Sequence, residues 1–434
     1  MDPYSTPVVS PLAAPLAAVP ESSSRQAPVS LQVRMVVLSY LAYFFYYFTR
    51  KHLGVATAAL VRDGYSVETI AWAQTAYNIC YAVGQLVSGA LGDRLGPRIA
   101  LFLGMVLSAI ASIAFGVFPF MALLVVATSL NGLFQATGWS NTCKVISSWI
   151  NYSKRGRVMG AWMTCYILGS MAATAAAGFL LQHYGWREMF MVLGGAVMLI
   201  GIAQGLFLIN RPEDRGYTVE RHEPAKTDGP ARKDGFMKMI RHPMVLLLGL
   251  SYTGMKFVRY TFFTWLPYYL ATVIHLPDST SAYVSVSFEV GGVVGLVIGG
   301  ILADKWFQQN RSRLAFLALV MMALSLLAYR NVSATGGIGV NFATLAAIGF
   351  SLYIADSIVS GSAAQDIGGV GSTASATGIV NGIGSVGQIF AGILPIWMRD
   401  RWGWDAVFLS FIAVAVFSCL AIIPVARRRE LVQA

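Results

Sequence analysis

Six ionisable side chains stand inside stretches that are otherwise too apolar to meet water: Arg50 and Lys51, Lys256 and Arg259, Glu289, and Asp356. A charge at the centre of a bilayer costs about 2.5–3.5 kcal/mol on insertion scales, so each needs a partner or a task. A guanidinium offers a planar fork of N–H donors that matches phosphate or carboxylate oxygens two at a time, which an ammonium cannot do. Tyr43 and Tyr47 precede Arg50 by seven and three residues, on one helix face, and would add hydroxyls and aromatic walls. Lys256 lies one turn before Arg259 and shares its face. Four cations set against the carboxylates Glu289 and Asp356 leave a surplus of two positive charges, which suits a divalent anion such as a phosphate ester. The plainer alternative, internal ion pairs that tie helices together, fits Lys51 with Glu289 better than it fits the two arginines. Lys144 and Asp366 lie near the ends of their spans, where long side chains reach the interface, and are read as structural.

These residues must be positioned by membrane helices. The 434-residue chain is 56% hydrophobic and 12% charged, half the roughly 25% of charged residues in a soluble domain. Its mean hydropathy of +0.62 agrees. Twelve stretches are long enough to cross the hydrocarbon, at 33–61, 67–91, 97–118, 121–150, 156–182, 187–209, 243–273, 280–303, 313–329, 337–362, 371–397 and 404–426. The longest of these are expected to tilt or break. Residues 1–30, rich in Ser, Pro and Ala and without a basic start, read as a disordered tail rather than a signal peptide.

The net charge of +11 would suit nucleic acid if it were clustered on one soluble face. It is instead divided by topology. With both termini on one side, that side receives 21 Lys and Arg and the opposite loops five, Arg62, Arg187, Arg330, Arg399 and Arg401. The positive-inside rule then makes both termini cytoplasmic, and no nucleic-acid partner is expected. Cys80, Cys143, Cys165 and Cys419 lie in spans at no metal-ligand spacing, so they read as small packing residues, and no cofactor is expected.

A polar, basic segment at 211–242 separates six spans, 31–210, from six more, 243–427, with a short tail at 428–434. The halves resemble one another. Gly89-Ala-Leu-Gly-Asp93-Arg94 closes the second span, and Gly300-Ile-Leu-Ala-Asp304-Lys305 closes the eighth, 211 positions later. Tyr184-Gly-Trp-Arg-Glu-Met-Phe190 opens the sixth, and Trp402-Gly-Trp-Asp-Ala-Val-Phe408 opens the twelfth, 218 positions later. Nearly equal offsets mark an internal duplication. The Gly-x-Leu-x-Asp-(Arg/Lys) pair resembles the signature of the major facilitator superfamily. That resemblance implies an all-α membrane protein with twelve transmembrane helices in two pseudo-symmetric six-helix bundles, rocking about a central cavity. Gly89 and Gly300 are then expected to permit close helix approach, and Asp93 and Asp304 to accept hydrogen bonds from a neighbouring helix N-terminus, with Arg94 and Lys305 completing a gating motif.

Three strings narrow the resemblance: Tyr47-Phe-Thr-Arg50-Lys51, Asn131-Gly-Leu-Phe-Gln135-Ala-Thr-Gly138-Trp139, and Arg259-Tyr260-Thr-Phe-Phe-Thr-Trp265-Leu-Pro267-Tyr-Tyr-Leu270. Over about 390 residues the chain resembles the organophosphate:phosphate antiporter family. The resemblance implies that Arg50 and Arg259 grip the substrate's phosphate and that Glu289 balances Lys51, with Tyr81, Trp139 and Tyr166 also at the site. The chain departs from the family pattern too. Tyr166 stands where the family's glycerol-3-phosphate transporter carries a His, Gln85 where a Lys is common, Lys256 where a Tyr is usual, Thr264 where an Asp occurs, and Asp356 is an added carboxylate. Lys256 is therefore expected to restore the charge lost at position 85, oriented by Asp356. In span 11, Asn381, Ser385 and Gln388 are read as able to meet substrate hydroxyls, among glycines that allow close packing.

The reading that follows is a monomeric carrier in a bacterial cytoplasmic membrane that exchanges an organic phosphate for inorganic phosphate. Two alternatives remain: a proton-coupled symporter of sugar acids using Asp356 or Glu289, and a transport-like sensor that signals to a membrane kinase. No nucleophile, base or metal cluster in the spans points to an enzyme.

Overall fold

In hydrocarbon no water satisfies the peptide groups, so a chain of this composition spans as helices that bond their own backbones. The computed structural model describes residues 25–151, 154, 158, 159, 161–219, 237, 239–307 and 310–427. Its long helices are α1 (Val29–Arg62), α2 (Val67–Leu95), α3 (Pro97–Val117), α4 (Met121–Trp149), α5 (Thr164–Tyr184), α6 (Trp186–Phe207), α7 (Pro243–Thr272), α8 (Asp278–Lys305), α9 (Arg311–Val332), α10 (Ile338–Ser362), α11 (Ala363–Phe390) and α12 (Ile393–Arg427). Among the described residues, nine are both long and apolar enough to cross a membrane. The other three, α2, α7 and α11, are 28 to 30 residues long but more polar. They carry the Gln, Asn, Lys and Arg side chains that face the other half or the molecule's interior.

The expected breaks occur where the site lies. Helix α1 is interrupted at Tyr47 and α4 at Ala136. Helix α10 ends in a π turn, Ile358–Ser362, just after Asp356, a distortion common at functional positions. Helix α11 begins at Ala363, eight residues before the expected start of its span. Helix α12 is bent at Gly403, whose φ of 77° favours glycine, and the segment after the bend corresponds to the expected last span.

Packing repeats between the halves. Helix α2 lies along α4 as α8 lies along α10, and α3 along α6 as α9 along α12. The α8–α10 seam is tight because a Cβ on Gly291 would stand 1.9 Å from the Ala346 carbonyl oxygen, and one on Gly349 1.9 Å from that of Phe288. Backbones this close require glycine. One apolar core fills the α7–α12 half, around Leu319, Leu352 and Phe411, and another fills the α1–α6 half, around Tyr43, Leu101 and Trp162. A third joins the halves, packing Trp265, Tyr268, Ala282 and Ile396 against Leu53, Phe115 and Phe190.

Part of the expected tail, residues 25–30, is ordered. Arg25–Gln26 pairs in parallel with Tyr217–Thr218, Ala27 N–H donates to the Thr218 carbonyl at 3.0 Å, and α1 starts at Val29. Most of the expected linker, at 220–236 and 238, and the tail at 428–434 lie outside the described residues, as do residues 1–24.

Candidate anion-binding site

Helix α1 breaks at Tyr47 and resumes with Arg50 and Lys51 in its first turn, both buried. Gln135, at the end of the first part of α4, braces that break. Its Nε2 donates to the Tyr46 carbonyl at 3.2 Å and to Thr49 Oγ1 at 3.0 Å, while its Oε1 accepts from Arg50 Nε at 2.7 Å and from the Tyr77 hydroxyl at 2.9 Å. Asn131, one turn earlier, donates to the Thr49 carbonyl at 2.5 Å. The Asn-Gly-x-x-Gln string is therefore a polar splice that satisfies the opened backbone and aims the arginine. The Arg50 guanidinium carbon lies 4.8 Å from the Tyr47 ring centre and 5.0 Å from that of Tyr81, within cation–π range. Its Nη2 is buried and has no hydrogen-bond partner among the described residues. Tyr43 packs on Trp139 and Trp162 at 5.6 and 5.4 Å, forming the aromatic wall below it.

The other half offers a different arrangement. Arg259 Nη1 meets Asp356 Oδ2 at 3.3 Å, with both side chains mostly buried at 14% and 10% exposure. The guanidinium carbon is 4.6 Å from the Tyr353 ring centre and 5.6 Å from that of Tyr166, which comes from the opposite half. Asp356 Oδ1 is buried without a hydrogen-bond partner among the described residues. Lys256 Nζ donates to Asn381 Oδ1 at 2.7 Å and meets Ser385 Oγ at 3.1 Å, both on α11. Asp356 therefore orients Arg259 rather than Lys256, contrary to the sequence expectation. Asn381 and Ser385 hold that lysine because α11 packs directly along α7.

Contacts between the halves lie at the level of this site and on the side of the α1–α2 and α7–α8 turns. Lys51 Nζ is 2.9 Å from Glu289 Oε1, with both side chains 4% exposed, and Ser170 Oγ donates to the same oxygen at 3.0 Å. Lys51 Nζ also sits 3.7 Å from the Phe263 ring centre. Asn78 Nδ2 donates to the Gln388 main-chain carbonyl at 2.9 Å, Gln388 Nε2 donates to Asn78 Oδ1 at 3.3 Å, and Arg62 pairs with Asp278. Gln388, read as a candidate for substrate hydroxyls, is thus committed to the joint between halves. The described state is closed on the turn side.

In the signature motif Asp93 Oδ1 meets Lys144 Nζ of α4 at 2.5 Å, and this donor holds the exposed carboxyl below its ordinary pKa. A Cβ on Gly92 would collide with Asn141, and among the described residues nothing comes within 4 Å of a Cβ on Gly300. Arg94 and Lys305 are exposed at the ends of α2 and α8. The side chains at Gly89 and Asp304 lie outside the described residues. Sequence reasoning did not single out Tyr77 and Tyr353, quoted Gln135 only as part of a string, and gave Asn381 no role toward Lys256. Their signal was present, as polar or aromatic residues one turn from a charged or motif residue.

The Major Facilitator Superfamily model matches residues 39–377. The mouse glucose-6-phosphate exchanger SLC37A2 is 26% identical over 456 residues, covering 89% of this chain and 90% of that protein. A protein of Arabidopsis thaliana named provisionally as glycerol-3-phosphate transporter 1 is 30% identical over 374 residues, 78% of this chain and 71% of the relative. Sugar phosphate exchanger 3 of Gallus gallus is 29% identical over 396 residues, with coverage of 81% and 77%. In fold, the chain matches a bacterial homolog of the human lysosomal transporter Spinster, with a TM-score of 0.76 at 15% identity, covering 92% of this chain and 98% of that one. It also matches a D-xylose-proton symporter, with a TM-score of 0.74 at 12% identity. With its helices and paired half-motifs, the chain is a multi-pass integral membrane protein of the major facilitator superfamily and belongs to its organophosphate:phosphate antiporter family.

Proposed function

We propose that this protein exchanges an organic phosphate ester for inorganic phosphate by alternating access, in a bacterial cytoplasmic membrane with both termini cytoplasmic. The observation that carries the reading is the placement of one arginine from each half, Arg50 and Arg259, on the equivalent helices α1 and α7, each against tyrosine rings. Sugar phosphate and glycerol phosphate are the substrates named for relatives that align over most of their length. Under the positive-inside assignment, the turn side, where Lys51–Glu289 and Arg62–Asp278 join the halves, faces away from the cytoplasm.

A phosphate dianion reaching the site takes N–H donors from both halves, Arg50 and Arg259, with Lys256 nearby, and so stabilises the occluded arrangement more than either open one. A ligand moves such an equilibrium only through this difference in affinity. In the empty carrier Arg50 has no anion, and drawing the halves together over it is unfavourable, so reorientation waits for cargo and exchange results. Lys51 with Glu289 forms a ligand-independent latch on the turn side. A second reading, proton-coupled symport, is favoured by one observation, the carboxylate of Asp356 on Arg259.

Proteoliposomes loaded with inorganic phosphate test both. Exchange predicts uptake of labelled glycerol phosphate or hexose phosphate that requires internal phosphate and no proton gradient. Uptake that needs the gradient and ignores internal phosphate supports symport, and failure of every phosphate ester to exchange removes the leading reading.

A further inference from the structure

Two polar atoms of the central site are buried without a hydrogen-bond partner among the described residues, and they are of opposite kind. Arg50 Nη2, in the first half, is a donor, and Asp356 Oδ1, in the second, is an acceptor. A buried polar atom left unpaired is costly and calls for an explanation. The neighbouring atoms are spoken for: Arg50 Nε by Gln135, Asp356 Oδ2 by Arg259, and Lys256 Nζ by Asn381 and Ser385. What remains among the described residues is an open donor on α1 and an open acceptor on α10.

We infer that Asp356 is a specificity-determining residue that accepts a hydrogen bond from a hydroxyl of the organic part of the substrate, while Arg50 takes the phosphoryl oxygens. This inference rests on the phosphate-exchange reading and adds to it a direction of binding. The phosphoryl group lies toward α1, and the hydroxyl-bearing end toward α10. Three features favour a hydroxyl over an ammonium as the donor. Arg259 is ion-paired with the same carboxylate, Lys256 lies one turn away on α7, and the rings of Tyr353 and Tyr166 already stack on the nearest cation. A ligand ammonium would enter ground already held by two positive charges, whereas a hydroxyl brings a donor without adding charge. The π turn that begins two residues beyond Asp356 loosens the backbone where α10 must adjust around a ligand, and Ser360 Oγ, inside that turn, donates to the Asp356 carbonyl at 2.7 Å. Inorganic phosphate has no organic end to reach Oδ1, so on this geometry the carboxylate separates ester from phosphate.

The test compares three esters that share the phosphate and differ at the far end: ethyl phosphate, 2-hydroxyethyl phosphate and 2-aminoethyl phosphate. Each competes with labelled inorganic phosphate for exchange in proteoliposomes containing the full chain. The wild type is expected to bind 2-hydroxyethyl phosphate at least about tenfold more tightly than ethyl phosphate, one good hydrogen bond to a charged group, and 2-aminoethyl phosphate no better than ethyl phosphate. In Asp356→Ala the preference for the hydroxyl ester should fall below about twofold, whatever happens to the overall rate, because the readout is a ratio within one protein. Should Asp356→Ala prove unstable, Asp356→Ser is measured in its place, with the same collapse expected. A wild type that takes all three esters equally overturns the inference, as does a variant that keeps the preference. A wild type that exchanges phosphate for none of them removes the exchange reading itself. A preference for the aminoethyl ester that is lost in the variant would replace hydroxyl with ammonium and overturn the inference as stated.

Discussion

Gln135 shows how one neutral side chain can decide what a charged one does. It is fully buried, accepts from both Arg50 and Tyr77, and donates to the broken first helix. Gln135→Leu keeps most of the volume but strands the Arg50 Nε and the Tyr46 carbonyl. Each hydrogen bond to a charged group is worth about 1.5–3 kcal/mol, so a roughly 10- to 100-fold rise in half-saturating phosphate is expected. Equilibrium exchange assays read it, and an unchanged value would mean that Arg50 holds its position without Gln135. The Lys51–Glu289 pair makes a second residue-scale case. Lys51→Met leaves a buried carboxylate without its cation, a loss of about 3–5 kcal/mol, whereas replacing both members removes the uncompensated charge. Thermal unfolding in detergent should therefore show Lys51→Met far less stable than Lys51→Met combined with Glu289→Gln. Equal melting of the two would argue against a coupled pair.

Helices place these groups through a few close approaches rather than through general apolarity. The α8–α10 seam sets the height of Glu289 on one helix and of Tyr353 and Asp356 on the other, and its glycines allow the backbones to touch. Gly349→Leu would put side-chain atoms where the Phe288 carbonyl stands. Overpacking of this kind typically costs about 1–3 kcal/mol and more where backbone must yield. The expected outcome is reduced folded protein on size-exclusion chromatography, together with loss of phosphate exchange in what remains. Gly300→Leu, on the partner helix α8 where nothing among the described residues lies within 4 Å of a Cβ, serves as the contrast and should fold normally. Comparable yields for the two variants would show that the seam is not the constraint.

At the scale of the molecule, the halves meet on the turn side, where a Cβ on Gly178 would come 2.8 Å from that of Ala282. A disulfide needs Cβ atoms about 3.5–4.5 Å apart, which a small shift supplies. Gly178→Cys with Ala282→Cys, in a background where the four native cysteines are replaced by alanine, should cross-link on oxidation and stop exchange, and reductant should restore it. Efficient cross-linking with full exchange would mean that α5 and α8 do not part during transport, contrary to the rocking of two bundles.

Much of this was legible in the chain alone. Apolar length dictates helices because hydrocarbon leaves the backbone no other partner. The loop charges divide by side, and the repeats ending in Asp93 and Asp304 reveal the duplication. Arg50, Arg259, Lys51 and Glu289 announced themselves because a charge in such a segment needs a reason, and for Lys51 and Glu289 the structure supplies the expected pair. What local sequence could not supply was the choice of partner among groups far apart in the chain. Asp356 lies 97 residues from Arg259 and 100 from Lys256, and only the packing of α10 and α11 around α7 gives the carboxylate to the arginine and Asn381 to the lysine. The same holds for Gln388, which pairs with Asn78 across 310 residues. Sequence determined which groups are too costly to leave alone in the membrane, and the tertiary structure decided which of them satisfy one another and that Arg50 Nη2 and Asp356 Oδ1 stay open among the described residues, because hydrogen bonding depends on distance in space and not along the chain.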